Sequence, residues 1–114
     1  MALVQKTLYM AVNKGYLITL PFSASNVKVT STVACEVTVY PPTLAGGTAP
    51  IAPVATQLPA ADGVITDFYR LAANGSETFG YEFPKGGNAE YGDAIGYVAV
   101  WNEAAAGTLT IKAH

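Results

Sequence analysis

The sequence predicts an all-β protein: a two-sheet antiparallel sandwich of jelly-roll or Greek-key type with about eight strands. The first observation is the run from Asn26 to Tyr40, where Val, Ser and Cys alternate with mostly polar residues. Side chains on a strand alternate between faces with this period. Turn-forming residues recur at close intervals, and no stretch shows helical periodicity. We therefore expect a single sandwich domain over residues 1–114.

The alternating run is too long for one ordinary strand. At about 3.3 Å per residue it would reach roughly 50 Å if unbroken. We therefore expect a bend near Ser31 and Thr32. Its Val-rich face should lie in the core, with Cys35 as a small buried hydrophobe. Its Thr-rich face, which includes Glu36, should be the outward side of the sandwich.

Two strands are expected before this run. Leu3–Val12 predicts the first, and Asn13–Gly15 reads as a turn in which Gly15 supplies a positive φ. Tyr16–Leu20 predicts the second, which we expect Pro21 to end.

The strands after residue 63 are separated by turn signals. Asn74-Gly75 is a strong hairpin signal. The strand that ends at Asn102 is apolar on both faces, so it should be central or covered on both sides. In the last strand Leu109 and Ile111 should point inward. The four predicted strands are Val64–Leu71, Ser76–Phe83, Asp93–Asn102 and Thr108–Ala113.

Residues 41–63 form a segment rich in Pro, Ala, Gly and Thr, with Asp62 as its one charge. Its prolines exclude a regular helix, so we do not expect it to span a membrane. We interpret it as an ordered, extended arm that lies on another subunit. The alternative is a crossover strand with ordinary loops inside its own sandwich. The apolar residues that would contact the partner are Leu44, Ile51, Val54 and Leu58.

The composition favours a surface that is partly covered by other subunits. Charged residues make up 12% of the chain and hydrophobic residues 51%, whereas about a quarter of the residues of an ordinary domain are charged. The six basic residues are dispersed and the net charge is −2, so nucleic-acid binding is not expected. These features indicate a homotrimer or another homo-oligomer, or a component of a lattice.

The chain lacks a recognisable set of catalytic or metal-binding residues. It has one cysteine and one histidine, His114, which is the last residue and a poor place to hold a base. There is no Cys/His metal set, calcium loop or phosphate-binding glycine motif. We therefore expect no enzyme activity and no cofactor or metal.

A carbohydrate-binding module is the alternative function. Tyr91 and Trp101 could form a stacking platform for sugar rings, with Glu90 and Asp93 accepting hydrogen bonds from sugar hydroxyls. The competing interpretation is that Trp101 and the other aromatic residues fill the core.

Four segments resemble small virion proteins of tailed bacteriophages: capsid decoration (cement) proteins, head-fibre bases and tail adaptors. The segments are Asn26–Thr30, Thr38–Pro42, Leu71–Phe79 and Gly107–Ile111. The resemblance implies a structural protein that binds and stabilises a phage shell, with the major capsid protein or another virion protein as its partner. Lys6 and Lys14 interrupt any signal-like segment, so we expect synthesis in the host cytoplasm and a final location in the virion.

Overall fold

The computed structural model describes residues 4–42, 50–53, 69–80 and 94–114. Within these ranges it is all-β, which confirms the predicted fold class. No helix occurs there, and hence none long and apolar enough to cross a membrane. The strands are β1 (Val4–Met10), β2 (Lys14–Ala24), β3 (Val27–Ser31), β4 (Cys35–Tyr40), β5 (Tyr69–Leu71), β6 (Gly75–Phe79), β7 (Ile95–Asn102) and β8 (Gly107–Ala113).

The eight described strands form two antiparallel sheets of four. Sheet 1 has the order β1-β8-β3-β6 and sheet 2 the order β2-β7-β4-β5. Strands 1 and 8, 2 and 7, 3 and 6, and 4 and 5 are therefore neighbours. This is the arrangement of a jelly roll, a four-pair ribbon wound into a two-layer sandwich. The core lies between the inner faces, where Val27, Val29 and Ile111 from sheet 1 meet Val37 and Val98 from sheet 2.

The run from Asn26 to Tyr40 bends where the sequence predicts, and there it also changes sheets. β3 ends at Ser31 in sheet 1 and β4 begins at Cys35 in sheet 2. The Ser31 hydroxyl donates a hydrogen bond to the Val33 carbonyl at 2.6 Å. The Val33 amide also donates to the Ser31 hydroxyl at 3.2 Å, and the two local bonds stabilise the corner. The predicted burial of Cys35 is confirmed.

Two expectations about β2 are wrong. The strand does not end at Pro21 but continues to Ala24. Because β2 is an edge strand of sheet 2, Pro21 breaks no inner ladder, and the register shifts between Thr19 and Ala24. Gly15 lies inside the strand, and Asn13 takes the positive φ of the turn, 59°. An Asn side chain tolerates this left-handed conformation.

The Asn74-Gly75 signal marks a turn, but not the hairpin that we expect from sequence. Asn74 has a φ of 60°, and the Gly75 amide donates to the Ala72 carbonyl at 3.0 Å. The turn joins β5 of sheet 2 to β6 of sheet 1, so it is a corner between sheets. The predictions for β7 and β8 are confirmed: β7 is central and buried on nearly its whole length, and Leu109 and Ile111 point inward.

Candidate functional site

The outer face of sheet 2 is buried, although it points away from the space between the sheets. Glu36 and Thr38 on β4 and Ala99 and Trp101 on β7 all lie on this face. Only 4% of the surface of Glu36 and 4% of that of Trp101 is exposed. The Thr-rich face of β4 is therefore the outward side of the sandwich, as expected, but it is buried instead of open to solvent.

A proline segment covers part of this face. A Cβ atom placed on Gly15 would overlap the carbonyl oxygen of Pro53. Only a glycine allows the two backbones to approach so closely, which explains Gly15 better than a turn does. Pro50 and Pro53 are both buried. The described part of the predicted arm therefore packs against its own sheet.

One row of side chains crosses sheet 2 from edge to edge. Gly15 on β2 is opposite Trp101 on β7, and Trp101 is opposite Glu36 on β4. Glu36 is in turn opposite Arg70 on β5. Residues directly opposite on antiparallel strands have their Cβ atoms about 5 Å apart. The row therefore brings an indole, a carboxylate and a guanidinium together on one buried surface.

Glu36 is the charged centre of this row. An Arg70 guanidinium nitrogen donates to its Oε1 atom at 3.1 Å, and 69% of the Arg70 side chain is exposed. Burial raises the pKa of Glu36 above its ordinary value, and the nearby Glu103 carboxylate raises it further. The positive charge of Arg70 lowers that pKa, but this effect is smaller than those of burial and of Glu103.

A cavity of ≈ 360 Å³ lies beside Glu36. Its described lining includes Cys35, Arg70 and Glu103, with Ala34 and Ala104. Burial also raises the pKa of the Cys35 thiol, so the thiol stays protonated and is a poor nucleophile. Within the described ranges no group of three or more ligating side chains could hold a metal ion.

Several buried polar atoms on this face have no hydrogen-bond partner among the described residues. They are Oε2 of Glu36, Oγ1 of Thr38 and Nε1 of Trp101. Such atoms are costly to bury and point to a polar contact that the described backbone does not provide. The three belong to neighbouring positions on β4 and β7, so they form one polar cluster.

Two of the predicted site residues lie in the described part of the chain. Trp101 is buried on the outer face of sheet 2, outside the core between the sheets. Ile51 is 61% exposed. Leu44, Val54, Leu58 and Tyr91 lie outside the described residues, so their predicted roles stay predictions.

Three large apolar side chains of the described residues are exposed, and two of them lie at the corner between β1 and β2. Tyr9, at the end of β1, is 70% exposed, and Val12, in the turn, is 44% exposed. Ile51 is two residues from Pro53, which contacts Gly15 just after that turn. We call Tyr9 and Val12 the corner patch; Ile51 is a separate exposed residue.

Asn102 ties the corner between β1 and β2 to the β7–β8 loop, residues 103–106. Its Nδ2 atom donates to the Ala11 carbonyl at 3.0 Å and to the Ala105 carbonyl at 2.8 Å. Ala11 also donates its amide to the Tyr16 hydroxyl at 2.7 Å. The backbone beneath the corner patch is thus fixed by three hydrogen bonds.

The sequence alone does not predict that Glu36, Arg70 and Glu103 lie close together. Their proximity depends on the register of β4, β5 and β7, which the sequence does not specify. One signal is present: no charged residue occurs between Glu36 and Asp62. An outward face without charges is typical of a surface that is covered.

A comparison with protein families and with curated proteins finds no match. Among solved structures, the chain is similar to one described as Bacillus endospore appendages that form disulfide-linked pili. The likeness covers 97% of this chain and 87% of the other, at 16% identity and a TM-score of 0.38. So low an identity and TM-score carry no inference about function.

Proposed function

We propose that the protein is a non-enzymatic structural component of a bacteriophage particle, and that it decorates and stabilises the capsid shell. The jelly roll is a fold that viral capsid proteins use, although lectins and cupins use it as well. Fold alone does not define function. The proposal therefore rests on the resemblance of the sequence to virion proteins and on the surface of the molecule.

The observation that carries the proposal is the corner patch. Tyr9 and Val12 are exposed there, and Ile51 is exposed elsewhere, on a chain that has few charges with which to keep a free surface soluble. Exposed apolar surface is typical of protein contacts when it is part of a larger apolar area. The turn beneath it is held by the Asn102 and Tyr16 hydrogen bonds, so a partner would meet a preorganised surface.

Binding would follow from burial of apolar area. A specific contact buries roughly 800 Å² per partner, which is more than three side chains provide. The predicted arm residues Leu44, Val54 and Leu58 would supply further area. Attachment of a homotrimer or other homo-oligomer at several points would multiply a modest affinity for each site.

Mass spectrometry of purified phage particles tests the location. Particles from a lysate of the organism that carries this gene would be banded on a density gradient, and their tryptic peptides quantified. We expect peptides of this chain to band with the major capsid protein at a fixed ratio. If the chain remains in the unbanded soluble fraction, the proposal is wrong.

Light scattering of the purified chain tests the surface. We expect an oligomer, and we expect the double variant Tyr9→Ser/Ile51→Ser to dissociate at concentrations about tenfold higher than wild type, or more. Thr7→Ser is the matched control, because Thr7 is exposed on the same strand but outside the patch. A wild-type monomer at all concentrations, or equal dissociation of all three proteins, would remove the patch from the proposal.

The alternative, a carbohydrate-binding module, has less support. Lectins share the jelly roll, but Trp101 is covered. With 4% of Trp101 exposed, its indole offers no free face on which a sugar ring could stack.

A further inference from the structure

Strand β1 is an open edge of sheet 1. Among the described strands it pairs with β8 alone, and the register of that pair runs without a break from Val4 to Met10. Gln5, Lys6 and Thr7 are exposed one after another, so the middle of the strand is open on both of its faces. The outer side of such a strand presents a row of unpaired backbone N–H and C=O groups to which another strand can add.

The other edges of the two described sheets carry features that discourage strand addition. β2 contains Pro21, which cannot donate to a ladder, and its register shifts between Thr19 and Ala24. β5 has only three residues. On β6, Glu77 is opposite the core residue Val29, which makes it a charged residue on the inward side of an edge strand. These three edges are therefore poor templates for pairing.

Lys6 is the charged residue of β1, and it leaves the edge open. Its Nζ atom donates to the Thr19 carbonyl of β2 at 3.0 Å, so the ammonium group is held by the other sheet of its own chain. Side chains on a strand stand roughly perpendicular to the sheet. The Lys6 side chain therefore does not lie in the plane in which the backbone groups of β1 would meet a new strand.

We propose that β1 pairs antiparallel with β1 of a second copy of this chain, so that sheet 1 of one copy continues into sheet 1 of the other across a two-fold axis. In an interface of this kind both copies contribute the same surface. The inference rests on the homo-oligomer of the proposed function and specifies it as a dimer.

The sequence of β1 selects the register of this pair. Thr7 is the midpoint of the seven residues Val4–Met10, so an axis that passes beside Thr7 pairs the whole strand. Thr7 then lies opposite Thr7 of the second copy, and Lys6 lies opposite Leu8. An axis beside Lys6 would instead place two lysines directly opposite each other, which is destabilising. The register centred on Thr7 avoids this repulsion.

The same register gives the exposed Tyr9 a partner. Tyr9 is 70% exposed and would lie opposite Gln5 of the second copy, within reach of its side chain. The two-fold axis repeats this contact at the other end of the strand. The interface is small compared with a standard one, so the dimer should dissociate on dilution.

Opposite charges at position 7 test the register. Thr7→Lys places lysine opposite lysine across the axis, and Thr7→Glu places glutamate opposite glutamate. In analytical ultracentrifugation at low salt we expect a wild-type dimer, and we expect each variant to dissociate at concentrations at least about threefold higher than wild type. An equimolar mixture of the two variants should recover association, because each lysine then lies opposite a glutamate.

Thr30→Lys and Thr30→Glu are the matched controls. Thr30 is exposed and lies in the same row of sheet 1 as Thr7, but two strands from the edge, so both controls should associate like wild type. A wild-type monomer or trimer at all concentrations overturns the proposal, and so do Thr7 variants that associate like wild type or a mixture that does not recover. None of these outcomes bears on whether the chain bands with phage particles, which mass spectrometry tests separately.

Hydrogen exchange followed by NMR tests the strand pairing itself. Along an edge strand, alternate amides point to the neighbouring strand and to the open side. We expect every second amide of β1 to exchange rapidly in dilute wild-type protein and at least about tenfold more slowly in concentrated protein, where the second copy protects it. In Thr7→Lys these amides should exchange rapidly in more concentrated samples than in wild type. Wild-type rates that do not change with concentration would show that β1 is not the interface.

Discussion

β3 and β4 come from one alternating stretch, but their polar sides lie in different environments. On β3, Lys28 and Thr30 are exposed; on β4, Glu36 and Thr38 are buried. The inner residues of both strands occupy the same core. Alternation therefore predicts the direction of each side chain, but it does not predict what lies over the outer face of the sheet.

The charges on the two sheets follow this difference. On the outer face of sheet 1, Lys28 is directly opposite Lys112. Water and salt screen this like-charged pair, so it costs little. On the buried face of sheet 2, Glu36 is opposite Arg70, with which it forms an ion pair. A buried carboxylate without an opposite charge would be far more costly.

The outer faces of the two sheets should differ most in how much stability a truncation costs, and truncation of Trp101 should cost the most. We expect Trp101→Ala to reduce the free energy of unfolding by about 3–5 kcal/mol, because it removes the largest buried side chain of the outer face of sheet 2. Urea unfolding followed by circular dichroism measures this. Thr30→Ala on the outer face of sheet 1 is the control and should change the value by less than about 0.5 kcal/mol.

The same variant separates the two interpretations of Trp101. Large destabilisation is expected if the indole is a packing residue. A folded Trp101→Ala protein of wild-type stability that no longer binds a glycan array would instead support the carbohydrate-binding module and contradict the buried face.

Removal of Arg70 should have a smaller effect that depends on pH. We expect Arg70→Ala to cost about 1 kcal/mol at pH 8 and less at pH 4, because the charged fraction of Glu36 rises with pH. The sign follows because Arg70 lowers the pKa of Glu36 and so stabilises only the charged form. Urea unfolding at the two pH values measures the difference.

Lys28→Ala provides the comparison on sheet 1. It removes an exposed basic residue that is opposite another lysine, so its small effect should not grow as the pH rises from 4 to 8. A cost for Arg70→Ala that does not rise from pH 4 to pH 8 would contradict an ion pair that depends on the charge of Glu36.

Much of the fold follows from local signals. The Val-rich alternation predicts β3 and β4, and two apolar faces predict the central position of β7. Asn residues mark both of the described corners where the chain crosses between sheets at a positive φ, Asn13 and Asn74. The hairpin expected at Asn74 is wrong because a turn signal does not say whether the next strand stays in the same sheet. The prediction that β2 ends at Pro21 is wrong for a similar reason. A proline interrupts a sheet only where the strand has neighbours on both sides, and β2 lies at an edge.

The site around Glu36 depends on long-range geometry. Glu36, Arg70 and Glu103 are far apart in the sequence, and only the pairing of β4 with β5 and β7 brings them together. The general expectation that a charge on a strand faces solvent is wrong for Glu36, of which only 4% is exposed. Gly15 shows the same limit. In the sequence it looks like a turn glycine, whereas in the structure it allows a distant backbone to approach closely.

Acrylamide quenching of tryptophan fluorescence tests most directly whether the outer face of sheet 2 is buried. Trp101 is the single tryptophan, so the signal has one source. With 4% of the residue exposed, we expect a quenching constant several-fold lower than that of free tryptophan, rising to the free value in urea. A folded protein whose Trp101 is quenched as readily as free tryptophan would contradict the buried face and return this residue to the surface as a candidate glycan platform.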